Sequence, residues 1–174
     1  MAKKHILIIL VLLSAVAGMI YLVSSEVFFR MAVPQNDIVA ISDGADLRNI
    51  LPDGFGGPGY KELSFDNGQE QSVWLPLCHE AVFGIDDAQD VCAGFKRGYS
   101  REYGRSKVFI NEYETAAAAV NAASFLVIDA NMPTNDVDGV KIIGDDISFA
   151  LVSGKYLISA KDVNAAELIS NIKE

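Results

Sequence analysis

The sequence predicts an α+β fold: an N-terminal transmembrane helix, then one domain with a mainly antiparallel sheet and helices packed on one face. Three observations predict it. The stretch Ile6–Val23 holds no charged residue. The last third of the chain reads strand, helix, three strands, helix, from apolar periodicities that switch between two and 3.6 residues. Short turns join the last three strands, and only antiparallel neighbours can be joined so tightly.

At the N-terminus, Lys3 and Lys4 precede the uncharged stretch and Glu26 is the first charge after it. A helix rising about 1.5 Å per residue spans roughly 27 Å over that stretch, close to the hydrocarbon thickness of a bilayer. Ile6, Leu10, Leu13, Val16, Ile20 and Val23 would face lipid. The positive-inside rule puts the N-terminus in the cytoplasm and all that follows Val23 outside. A cleaved signal peptide is the rival reading, with small-x-small patterns at Ala15-Val16-Ala17 and Val23-Ser24-Ser25. The apolar run is longer than the usual signal core, which favours an anchor that is kept. The expected organisation is an anchor over 1–25, a juxtamembrane linker over 26–37 that includes Pro34-Gln35-Asn36, and an extracytoplasmic domain over 38–174.

Within the domain, IVAIS (38–42) is a short apolar run. Ser42 or Asp43 is placed to cap a short helix through ADLRNIL, which Pro52 stops. PDGFGGPGY (52–60) is a loop by its glycine and proline content. YKELSFDNGQEQSVWLPLC reads as a β-hairpin about Asn67-Gly68, with Leu63 and Phe65 on one arm and Val73, Leu75 and Leu77 on the other. Asp86 or Asp87 would cap a helix through AQDVCAGFKRGY, with Val91, Cys92 and Phe95 on one face. SKVFINEY (106–113) is a strand with Val108 and Ile110 on one face. Thr115 caps an alanine-rich helix to about Leu126, presenting Ala117, Val120, Ala123 and Ser124. ANMPTNDVDG is a polar loop. VKIIG, DISFALV and KYLISA are strands joined by turns at Gly144-Asp145 and Ser153-Gly154. Asp162 caps a last helix whose Val163, Ala166, Ile169 and Ile172 recur at helical spacing.

The run VFINEYETAAAAVNAA, a glycine-containing turn, ISFALVSGKYLISA and the closing AAELISNI resemble a pattern in small, largely uncharacterised extracytoplasmic α+β domains of bacteria and archaea. Many of those domains follow a membrane anchor and begin with a Leu-Pro element like Leu51-Pro52. The resemblance covers about residues 45 to 174. It implies location and fold class, and it carries over no catalytic residue.

Composition narrows function. Hydrophobic residues make up 51% of the chain and charged residues 21%, and the formal net charge is −9. Phosphate backbones require Lys and Arg clusters, so nucleic acid is not an expected partner. Membrane lipid and another membrane protein are. LCHEAVFGIDDAQDVC (77–92) holds both cysteines. Outside the cytoplasm thiols tend to pair, and closing a loop of about 15 residues stabilises by about 3 kcal/mol in the chain-entropy account. A Cys78–Cys92 disulfide is therefore expected. Two buried thiols, a redox pair or a metal site with His79 are the alternatives, although redox pairs usually sit as Cys-x-x-Cys and zinc wants four ligands.

His79 would have to be the base of any Ser-His-Asp hydrolase in the domain, yet no Gly-x-Ser-x-Gly elbow accompanies it. GFGGPG (54–59) lacks the Gly-Lys-Ser/Thr ending of a phosphate loop. Asp86, Asp87 and Asp90 suit a helix start better than a carboxylate pair for glycoside chemistry. Asp129, Asn131, Asn135, Asp136 and Asp138 offer hard oxygen ligands for Ca²⁺ but miss the EF-hand order. No cofactor is expected. The reading that results is a membrane-anchored interaction or accessory subunit, with a small-ligand or Ca²⁺-binding module and a His79 hydrolase as the alternatives.

Overall fold

The strands expected from the C-terminal alternation form the middle of one mixed sheet. The computed structural model describes residues 33–39, 44–84, 91–128 and 130–172. Its strands are β1 (Gln35–Asn36), β2 (Lys61–Asp66), β3 (Phe95–Tyr103), β4 (Ser106–Tyr113), β5 (Thr134–Val137), β6 (Val140–Gly144), β7 (Ser148–Ser153) and β8 (Tyr156–Lys161). Its helices are α1 (Gln71–Glu80), α2 (Ala116–Ile128) and α3 (Ala165–Ile172), with a 3-10 turn at Leu47–Ile50. The eight-stranded sheet runs β2-β3-β4-β8-β7-β6-β5. All neighbours on that path are antiparallel, and β1 alone is parallel, beside β7. Two meanders, β2–β4 and β5–β8, are thus joined by α2, and the last strand closes the sheet against β4.

Helices cover both faces of this sheet, which corrects the expectation of one. Val108 and Ile110 of β4 pack with Leu151 and Ile158 beneath α3 and the 3-10 turn. Phe109 and Tyr113 pack with Val152 and Leu157 beneath α1 and α2. The central strands are apolar at both parities, so neither face tolerates water. Reading only one parity of each strand hid this.

Local chemistry accounts for the helices. The Ala118 N–H donates to Thr115 Oγ1 at 3.1 Å, the cap expected for α2. The stripe that α2 buries is Ala119, Val120, Ala122, Ala123 and Leu126, while Ala117 and Ser124 are only half-buried. Small side chains there let the helix lie close on the sheet. The cap of α3 is Asn164, not Asp162: its Oδ1 accepts the Glu167 N–H at 3.0 Å. Asp162 instead turns the chain at φ 54°. Ala165, Leu168 and Ile169 are the side chains that α3 buries, with Ala166 and Ile172 half-buried.

Other expectations change as well. Asn67-Gly68 does turn the chain, but β2 pairs with β3 and the expected second arm is helix α1. Phe65 lies opposite Gly98, where an added Cβ would strike the Phe65 ring. That vacancy fixes the register. Phe65 stacks on Phe95 at 5.7 Å and Trp74 of α1 stacks on Phe95 at 5.2 Å, so one aromatic column joins the strands to the helix. Apolar positions 74, 75, 77 and 78 satisfy helical spacing as well as strand alternation over so short a run. Phe95 to Tyr99 open strand β3 and do not prolong a helix, and the polar loop after α2 contains β5.

Pro34-Gln35-Asn36, expected in the linker, belongs to the fold. The β6–β7 pairing reaches only Ile143↔Ala150 and Gly144↔Phe149. Beyond it the Asn36 amide fills the gap: Nδ2 donates to Lys141 O at 2.9 Å and Val152 O at 3.1 Å, and Oδ1 accepts the Lys141 N–H at 2.8 Å. An asparagine amide here stands in for a strand's own peptide group. The expected anchor over 1–25, the Ser42 and Asp43 caps and Asp86, Asp87 and Asp90 lie outside the described residues. The turn that begins at Leu47 is capped by Asp46, which accepts the Arg48 N–H at 3.0 Å. Among the described residues no helix is long and apolar enough to cross a membrane.

Candidate functional site

Among the described residues β2 forms one rim of the sheet and is paired on one side only. Five of its six residues are exposed, and only Phe65 is buried. Leu63 shares the face of Phe65 and is 48% exposed, while Val73 on the adjacent α1 is 49% exposed. An edge strand with open backbone groups and apolar neighbours is a template for pairing with another chain. The opposite rim, β5, is shorter and carries Asn135 and Asp136.

β2 is held rigid from behind. Arg101 of β3 is 2% exposed, and its guanidinium makes four hydrogen bonds. Nε donates to Tyr99 Oη at 2.9 Å, Nη2 to Glu62 Oε1 at 2.9 Å, and Nη1 to the carbonyls of Pro52 at 3.0 Å and Phe55 at 3.2 Å. Its Cζ lies 4.3 Å from the Tyr60 ring centre. The Tyr99 hydroxyl also donates to Glu62. That bond, with the Arg101 charge, lowers the Glu62 pKa, while burial and the same carboxylate push the Tyr99 phenol up. One side chain therefore fastens the 52–60 loop to the rim strand. Gly56 completes the packing, since a Cβ there would run into the Tyr103 ring.

A second charged knot lies further along the same face. Glu112 of β4 has no exposed side-chain surface, and its carboxylate meets Arg97 at 2.6 Å, Lys155 at 3.0 Å and Lys96 at 3.4 Å. Burial opposes its ionisation, but the bonds from Lys155 and Arg97 outweigh burial and keep the carboxyl below the usual glutamate range. Arg97 also donates to Ala45 O at 2.8 Å, which ties the turn before Leu47 to β3. The basic run Lys96-Arg97 thus closes on an internal acid. The signal for Arg101 and Glu112 was their parity: each shares the inward side of its strand with apolar neighbours, an expensive place for a charge that lacks a partner.

The cysteines are joined, with their Cα atoms 6.2 Å apart. Cys78 sits in the last turn of α1, not at a strand end, and Cys92 lies just before β3. Both are in the core beneath α1 and α2. His79 is half-buried beside them. Its Nε2 is enclosed and has no hydrogen-bond partner among the described residues, and its carbonyl accepts the N–H groups of Val82 and Gly84, each at 3.0 Å. No nucleophile is hydrogen-bonded to it among those residues.

Described residues of the acidic stretch make local hydrogen bonds about β5 and β6. Asp129 lies outside the described residues. Asn131 adopts φ 50°, Asn135 Nδ2 donates to Gly144 O at 2.6 Å, and Asp136 accepts from Gly139 N at 2.9 Å and Lys141 Nζ at 2.7 Å. Asp138 occupies the left-handed position of the β5–β6 turn at φ 52°. Among the described residues no three His, Cys, Asp or Glu side chains are grouped to hold a metal. No protein-family model, curated protein or solved structure matches this chain.

Proposed function

We propose that this chain is a single-pass membrane protein whose domain lies outside the cytoplasm and serves as an interaction or accessory subunit of a membrane complex. Residues 1–25 would anchor it in lipid with the N-terminus in the cytoplasm. The observation that carries the reading is the β2 rim: an open, rigidly backed edge strand flanked by Leu63 and Val73. A partner segment would add to β2 as a further strand, with backbone bonds supplying affinity and the two apolar side chains supplying selectivity. The Cys78–Cys92 bond supports the compartment, because such bonds persist where the surroundings are oxidising.

The test compares tagged full-length chain with its Leu63→Lys, Val73→Lys double variant, each recovered from native membranes. Both sites are exposed, so the variant should fold, and the fluorescence of Trp74, the sole tryptophan, checks that it does. The reading expects one membrane complex with the parent chain and its loss with the variant. Equal recovery from both would sink the β2 assignment.

A further inference from the structure

A cleft of about 220 Å³ opens beneath the C-terminal end of α1, over the paired ends of β4 and β8. Its floor is a square of side chains from two cross-strand pairs, Lys107↔Lys161 and Phe109↔Ser159. Glu80, Phe83 and Gly84 form its wall. Two lysines directly opposite each other repel, and such pairs are normally avoided. Glu80 pairs with one of them: its Oε1 lies 2.6 Å from Lys107 Nζ. Lys161 has no ion pair among the described residues, so its charge is the one left uncompensated among the side chains that line the cleft.

Ser159 supplies a second observation. It is 2% exposed, it lines the cleft, and its hydroxyl makes no hydrogen bond to another described residue. It is the hydroxyl-bearing residue among those that line the cleft. The apolar side is equally built. Phe83 holds a left-handed backbone at φ 60°, a conformation that an aromatic residue rarely adopts and that needs local support. Phe109 lies across the floor with the Lys107 ammonium 4.8 Å from its ring centre.

We infer that this cleft binds a small organic monocarboxylic acid. The carboxylate bridges Lys161 Nζ and Ser159 Oγ, Lys107 spans the ligand and Glu80, and the apolar body lies against Phe83 and Phe109. A single excess charge beside Glu80 suits a monoanion and disfavours a phosphate dianion. The volume is below the roughly 300–1,000 Å³ of drug-sized sites, which limits the body to about one ring or a short chain.

The experiment titrates full-length protein in detergent with sodium benzoate, with benzamide and inorganic phosphate as controls, and follows melting by Trp74 fluorescence. Benzoate should give a saturable rise of about 2 °C or more, and the controls none. Lys161→Met and Ser159→Ala should each weaken the benzoate response at least tenfold in midpoint, and Lys161→Met should not lower the ligand-free melting temperature, because Lys161 is exposed and faces a like charge. No rise with benzoate, equal rises with all three compounds, or an undiminished response in the Lys161 variant would each overturn the inference. The cleft does not involve β2, so none of these results bears on the proposed partner.

Discussion

Replacing Arg101 with Met isolates what the buried guanidinium contributes. The methionine fills much of the same volume but leaves Glu62 without its cation and the carbonyls of Pro52 and Phe55 without a donor. Removing one partner of a buried ion pair costs about 3–5 kcal/mol. The Glu62 side chain is 29% exposed and recovers part of its hydration, so the lower end applies. A loss of about 3 kcal/mol lowers the melting temperature of a domain this size by roughly 6–12 °C. Arg101→Lys keeps the charge but loses the fork that reaches two carbonyls and a carboxylate at once, and falls between. Trp74 fluorescence reads the melting, and limited proteolysis reads release of the 52–60 loop. If Arg101→Met melts within about 2 °C of the parent and the loop is cut no faster, Arg101 is not the fastening it is argued to be.

Other outcomes follow from the same geometry. Replacing both Cys78 and Cys92 with Ala should cost about 3 kcal/mol, and the intact mass of native protein should rise by about two hydrogens on reduction. Glu112 has a lowered pKa in the fold, so its contribution is present above the unfolded value and is lost as pH falls through the folded one. Glu112→Gln should therefore melt lower at neutral pH and flatten the acid side of the stability curve, and an unchanged acid limb would contradict this. Gly98→Ala places a Cβ in the Phe65 ring and 2.7 Å from Asn111 Oδ1, and should destabilise by about 1–3 kcal/mol in urea titration.

Much of the last third was legible because local and global signals agree there. Val108 and Ile110, the Thr115 cap and the Ser153-Gly154 turn each point to the element that forms. The middle of the chain was not, for physical reasons. SVWLPLC fits both periods, and the partner that decides between them, Gly98 opposite Phe65, lies about thirty residues on. Asn36 reads as linker because the two strands it bridges, β6 and β7, come from the far end of the chain. The pairing of Cys78 with Cys92 was legible from their number and the expected compartment. The cleft was not, since cross-strand register alone sets Lys107 against Lys161.

The most direct measurement places a photo-crosslinking residue at Leu63 in the full-length chain, within native membranes, with the same residue at Asn171 on α3 as control. The account predicts that Leu63 yields one membrane protein in near-equal amount and Asn171 does not. Recovery of the chain alone from both positions, or the same adducts from both, would contradict it.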